Sequence, residues 1–241
     1  MSNTLLIARR ELTSYLRTPS GWIIAAAVLL IDGLLFNAFA LGTQPKPSTQ
    51  VLQDFFYFAA GTTMIAAILL SMRLLAEERQ AGTLSLLLTS PIREYQIVAG
   101  KFLSAFAFLL LLIGLTAYMP ALIFVHGKVS LGHIAGGYLG LALLGGSALA
   151  IGVLGSSLGR NQLVAGVLSA LFLVSLLLCW MVARVADPPL REVLRYLAPF
   201  DQHFLPFQRG MLRLSDVVFF VSVSWFALLA ATRVLHSQRW R

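Results

Sequence analysis

The chain has 241 residues, of which 58% are hydrophobic and only 12% charged, where soluble domains carry about 25% charged residues. A mean hydropathy of +0.82, with the apolar residues gathered in long charge-poor runs, excludes a soluble enzyme, a disordered tail and a secreted disulfide scaffold and points to a membrane domain with short loops. The net charge of +8 sits beside those runs, so it reads as a topology signal and not as a nucleic-acid footprint, and the lone Cys179 leaves no intramolecular disulfide.

Residues 1–20 form the first unit. Leu5, Leu6, Ala8, Leu12, Tyr15 and Leu16 fall largely on one helical stripe, with Arg9, Arg10 and Arg17 placed to meet lipid phosphates, the pattern of an amphipathic interfacial helix. Pro19-Ser20-Gly21 breaks it. Residues 21–241 then read as an all-α membrane domain of six spans: Trp22 to Leu41, Phe55 to Leu75, Phe102 to Val125, Ile134 to Leu158, Leu163 to Ala183 and Val217 to Leu235. Each run is long enough to cross about 30 Å of hydrocarbon at about 1.5 Å per residue. Barrel strands are excluded, because the runs are about twice a barrel strand's length and show no alternation of period two.

In the first span Asp32 is near the bilayer centre, where a charged carboxylate costs at least about 2.5 kcal/mol. It is expected to be neutralised, paired or turned to a wet cavity. Gly33 and Asn37 would let it form a polar, closely packed patch, either on a translocation path or dimer seam or simply hydrogen-bonded within the helix packing. Residues 42–54, with Pro45 and Pro47, read as a short outer loop.

Between the second and third spans the chain runs Ala76-Glu77-Glu78-Arg79-Gln80-Ala81-Gly82-Thr83-Leu84, continues through Leu86-Leu87-Leu88-Thr89-Ser90-Pro91, and reaches Gly100-Lys101. Two carboxylates at the end of a helix would oppose its macrodipole, with Arg73 and Arg79 at hand to compensate them. Gly82 ends that helix, and the apolar Leu84 to Leu88 stretch outside the spans needs a surface to bury against. Pro120 predicts a kink near the outer end of the third span. Glycines crowd the fourth span, including Gly136 and Gly140, which predicts close helix approach either within the subunit or at a dimer seam. After Pro188-Pro189, Leu190, Val193, Leu194 and Leu197 recur at helical spacing, predicting an outer amphipathic or re-entrant helix before the last span.

Six spans put both termini on one side, and the Lys and Arg count chooses it. Arg9, Arg10, Arg17, Arg73, Arg79, Arg93, Lys101, Arg160, Arg233, Arg239 and Arg241 lie on the termini side, against Lys46, Lys128, Arg184, Arg191, Arg195, Arg209 and Arg213 on the other. The richer side is assigned to the cytoplasm.

Glu77-Glu78-Arg79, Gly82-Thr83-Leu84, Leu87-Leu88, Ser90-Pro91 and Gly100-Lys101, spaced between a second and a third span, make the chain resemble the permease subunits of ABC-2 type ABC transporters over essentially its whole length. The resemblance implies that this loop rests on a separate ATPase subunit, with Glu77, Glu78 and Arg79 as polar contacts, Gly82 and Thr83 at the turn, and Leu84, Leu87 and Leu88 in a cytoplasmic coupling helix. The segment Pro199-Phe200-Asp201-Gln202-His203-Phe204 with Arg209-Gly210 is similar to the gliding-motility-associated branch, although Ala198 and Gln202 depart from its pattern. His203 fits a hydrogen-bonded loop or cap residue more readily than a ligand.

Catalytic patterns fail on inspection. Gly155-Ser156-Ser157-Leu158-Gly159 spells a nucleophile elbow, but that motif needs a strand-to-helix turn and here ends a membrane helix. Gly100-Lys101 is followed by Phe102, so it is no phosphate-binding loop, and the histidines lack metal spacing. The expected protein is therefore not an enzyme. It is a permease subunit in the bacterial inner membrane, working with two copies of an ATPase that bind ATP and Mg, a second permease copy (identical or different), membrane lipids and an auxiliary protein bearing a periplasmic domain. It needs no cofactor, metal or nucleic acid of its own. The competing expectation is a non-transporting scaffold for a cell-envelope machine.

Overall fold

The computed structural model describes residues 3–42, 46–83, 92–127 and 129–238, and helix is the only regular secondary structure among them. Helix α1, Asn3–Arg17, precedes α2, Pro19–Leu35, which widens into a π-helical turn, Phe36–Leu41, closed by the Gly42 N–H donating to Asn37 O at 3.3 Å. Next come α3, Ser48–Ser71, and the short α4, Ala76–Gln80. The third span is two pieces, α5, Glu94–Leu115, and α6, Tyr118–His126. Helices α7, Leu131–Leu158, and α8, Gln162–Val185, form the next two spans. Helix α9, Leu190–Leu197, a π turn Pro199–Phe204 and α10, Leu205–Gln208, lead to α11, Leu214–Gln238.

Six helical stretches are long and apolar enough to cross a membrane, in the order expected: Pro19–Leu41, Ser48–Gln80, Glu94–Val125, Leu131–Leu158, Gln162–Val185 and Leu214–Ser237. They begin up to eight residues earlier than the apolar runs alone suggested, because polar first turns such as Glu94-Tyr95-Gln96 continue the helix without lengthening its apolar face. The break in the third span falls at Thr116-Ala117, just ahead of Pro120. Pro120 lacks the N–H that would bond back to Thr116 O, which accepts from the Met119 N–H at 3.0 Å, while the Thr116 hydroxyl donates to Ile113 O at 2.7 Å and meets the Tyr138 hydroxyl at 3.1 Å.

Helix α7 is the axis of the bundle: 78% of its apolar window is buried, against 17% for α8 and 28% for both the first and last spans. Its glycines explain this. A Cβ at Gly145 would stand 2.7 Å from Thr63, and one at Gly159 2.7 Å from Ala165, while Gly137 abuts the Phe56 ring and Gly152 abuts Ser71. These close approaches lie within the subunit: α3 and α8 meet the glycines just named, Phe106 of α5 meets Gly146, and Phe207 and Leu212 meet Gly140 and Gly136. In lipid, where apolar side chains gain little from each other, such close backbone approach is the main source of helix association.

Helix α1 packs along the first turns of α5, and Gly100 makes room for it: a Cβ there would lie 2.9 Å from the Ile7 side chain and from Thr4 O. Gly100→Leu is expected to push α1 away and cost about 1–3 kcal/mol. A lowered melting midpoint together with faster proteolysis within residues 3–17 checks this. One face of the bundle thus gathers α1, α4, the start of α5 and the end of α7. The end of α11 joins them, with His236 Nδ1 3.5 Å from Glu94 Oε1.

Candidate functional site

The second span does not run straight into the polar segment. After Ser71 the helix breaks, and the freed N–H groups of Leu75 and Ala76 both donate to Ser156 Oγ, at 3.0 and 3.1 Å, while that hydroxyl donates to Met72 O at 3.3 Å. A buried serine on α7 thereby caps the start of α4. Glu77 and Glu78 consequently stand in the first turn of α4. This corrects the expectation that they close a helix against its dipole: at an N-terminus the dipole favours them.

The three charged residues read together in the sequence point to different places. Glu77 forms a two-point pair with Arg73, Nε to Oε2 at 3.0 Å and Nη2 to Oε1 at 3.3 Å, and leaves 47% of its side chain exposed. Glu78 turns inward. Its Oε1 is 2.8 Å from Lys101 Nζ, which is 3.1 Å from Glu11 Oε1 on α1, and the lysine side chain is only 3% exposed. One buried ammonium thus ties α1, α4 and α5 together. Glu78 Oε2 is buried with no hydrogen-bond partner among the described residues, so its charge depends on Lys101 for compensation.

Arg79 takes a third direction. Its Nη1 donates to Gly159 O at 2.6 Å and its Nη2 to Ser157 O at 2.7 Å, capping the carbonyls that the end of α7 leaves open. Gly82 closes α4 with a left-handed φ of +72°: the Gly82 N–H donates to Arg79 O at 3.2 Å and the Thr83 N–H to Glu78 O at 3.0 Å, the paired bonds of a Schellman ending that glycine alone adopts without strain. Leu84, Leu87 and Leu88, the expected coupling helix, lie outside the described residues.

Between α1 and α4 lies a cleft of about 270 Å³ whose charged lining is Arg10, Glu11, Arg73, Glu77, Glu78 and Lys101. Tyr15 seals its floor, stacking on Phe108 at 5.2 Å and donating its hydroxyl to Leu70 O at 3.2 Å. Burial, with Glu11 adding to it, raises the Tyr15 hydroxyl well above its ordinary range, so it remains a neutral donor. Equal numbers of acids and bases make this a mechanical joint and not an anion site. In the sequence Lys101 reads as a span-edge charge, Glu11 belongs to no motif, and Ser156 falls in a failed catalytic motif. The detectable signal was a lysine a full two turns inside a helix that starts at Glu94.

The other sequence-predicted residues lie elsewhere. Asp32 is buried in the first span and accepts a 2.6 Å hydrogen bond from Thr62 Oγ1 of α3, beside a void of about 10 Å³. The structure does not bring Asn37 to it. Asn37 sits in the π turn, exposed, and its carbonyl accepts from the Gly42 N–H. On the opposite face of the bundle Pro199, His203 and Phe204 are buried. His203 stacks on Phe219 at 3.8 Å, with Nδ1 2.8 Å from Asp216 Oδ1 and Nε2 2.9 Å from Tyr196 O. It joins α9, the π turn and α11. Arg209 is exposed, and Gly210, at φ +76°, ends α10 with the bond pattern seen at Gly82 and lies against His133.

A family model described as ABC-2 family transporter protein matches residues 5–205. No curated protein matches the chain.

Proposed function

From the premise that the chain belongs to the ABC-2 transporter family, and so is a membrane permease of an ABC transporter, we propose that α4 and the turn after it receive a separate ATPase subunit and transmit its motion into the bundle. The observation that carries the reading is the division of labour in Glu77-Glu78-Arg79. Glu78 and Arg79 are fastened inward, to Lys101 and to the end of α7, while Glu77 and Thr83 remain at the surface. A load applied to α4 reaches α1 and α5 through the lysine and the central helix through the arginine. That is the wiring a coupling element requires.

In this reading the face bearing α1 and α4 is cytoplasmic, in agreement with its excess of Lys and Arg, and the membrane is the bacterial inner membrane. Two ATPase copies hold ATP and Mg and act on two permease copies, identical or different. The segment Pro199 to Gly210, similar to that of the gliding-motility-associated permeases, faces the periplasm, where an auxiliary protein would meet it. ATP drives export or force transmission only if the ATP-bound ATPase favours one permease state, so the differential contacts belong to α4 and its turn.

Charge reversal separates surface from scaffold. Glu77→Lys is expected to lower stability only modestly, by about 1 kcal/mol, since its ion pair with Arg73 is part-buried at the edge of the bundle, but to deplete a P-loop ATPase from material purified gently from native membranes. Undiminished recovery of the ATPase with Glu77→Lys would refute the assigned contact. Recovery of envelope proteins without any ATPase would favour the scaffold.

A further inference from the structure

On the face opposite α1, helix α9 folds back against the end of α8, and between them opens a basic cleft of about 350 Å³. Arg184, Arg191 and Arg195 line it, with Asp201 as the single acid of the lining. None of the three arginines has an ion-pair partner among the described residues, and Arg184 lies over the Trp180 ring, 4.2 Å from its centroid. Gathering arginines at this end of the bundle runs against the distribution of charge elsewhere in the chain, where the other face carries most of the Lys and Arg.

The cleft does not end at its own walls. Trp180 and Asp201 also line a second cavity of about 380 Å³, a trough between the first, second and fifth spans walled by Ile31, Leu35, Ile65 and Leu177. Gly61 lies in that trough, and a Cβ added there would meet nothing within 4 Å. A positively charged pocket at headgroup depth therefore continues into an apolar channel that runs down the membrane-facing side of the bundle. In hydrocarbon such a channel is filled by acyl chain.

We propose that this continuous site binds a phospholipid with an anionic headgroup, the phosphate held by Arg184, Arg191 and Arg195 and one acyl chain laid along the trough past Gly61. Charge complementarity selects the occupant: the lining carries three cations and one carboxylate, which disfavours a cationic amphiphile, and the planar guanidinium fork suits phosphate oxygens. Trp180, stacked under Arg184, marks the boundary between head and tail, the depth that an indole prefers at a membrane interface. The Thr62 that bonds Asp32 lines the lower trough, so the tail would lie beside the one acid buried in the first span. The site is remote from α4, and the inference stands whether or not an ATPase docks there.

The test is native mass spectrometry of the full chain in mixed micelles with equal amounts of phosphatidylglycerol and phosphatidylcholine, with inorganic phosphate as the free-anion competitor. The wild type is expected to retain phosphatidylglycerol selectively. The combined variant Arg184→Gln, Arg191→Gln, Arg195→Gln, altered only at exposed positions, is expected to lose that affinity by on the order of a hundredfold, about fivefold per arginine. Gly61→Leu, which enters open space and leaves the headgroup pocket intact, is expected to weaken retention of the lipid about tenfold by occupying the chain's place. Unchanged selectivity in the triple variant would overturn the proposal. So would full retention in Gly61→Leu, which would take the acyl chain out of the trough, or displacement of the lipid by millimolar phosphate, which would leave only a soluble-anion site at the arginines.

Discussion

Lys101→Met is expected to lower stability by about 3–5 kcal/mol, the range found when one partner of a buried ion pair is removed. Methionine keeps nearly the volume of lysine, so the loss reports charge and not a cavity. The ammonium is within 2.8 Å of Glu78 and 3.1 Å of Glu11 and is almost wholly buried. Without it two carboxylates face each other, one with an oxygen already buried and unbonded among the described residues. Thermal unfolding in mild detergent measures the effect, and Lys101→Met combined with Glu11→Gln and Glu78→Gln should regain most of it, because no uncompensated charge is left. If the single variant melts like the wild type, the three-helix tie is not what holds α1 to α4.

Arg79→Ala should act on coupling more than on folding. The side chain is part-buried, and its removal leaves the carbonyls of Ser157 and Gly159 to water at the bundle's edge, a cost of about 1–2 kcal/mol. What it severs is the link between α4 and the central helix. Energetic coupling between sites is worth about 1–3 kcal/mol, or roughly 5–150-fold. Stimulation of the ATPase by the permease is therefore expected to fall about tenfold or more in reconstituted vesicles, while the ATPase, still meeting Glu77, remains bound. Stimulation at the wild-type level would show that the arginine cap carries no load.

The order of the spans was legible because hydrocarbon imposes a length and a composition that no loop of this chain imitates. The all-helical architecture and the family followed from that order and from the short pieces between the second and third spans. The end of α4 was legible too, since Gly82 takes the left-handed φ that favours glycine; Gly210 ends α10 in the same way, which its place in the Arg209-Gly210 pattern did not announce. The roles within Glu77-Glu78-Arg79 were not. Adjacent residues on a helix point about 100° apart, so three neighbouring charges serve three partners, and those partners, Arg73, Lys101 and the end of α7, are chosen by tertiary packing. The break after Ser71 was hidden for the same reason: the serine that satisfies its open N–H groups lies 81 residues away from Leu75. Asp32 and Asn37 read as one polar patch, but residues five apart on a helix point about 140° from each other, and Asn37 is exposed while Asp32 is buried.

The central claim is that an ATPase rests on the turn that follows α4. Cys179 is the only native cysteine, so a Cys179→Ser background gives single-site crosslinking from Thr83→Cys at that turn, with Ser130→Cys on the opposite face as the control. The account predicts that in native membranes Thr83→Cys traps a P-loop ATPase, with a yield that changes when ATP is added, and that Ser130→Cys does not. Absence of the ATPase from the Thr83→Cys adducts, or equal trapping from both faces, would contradict it.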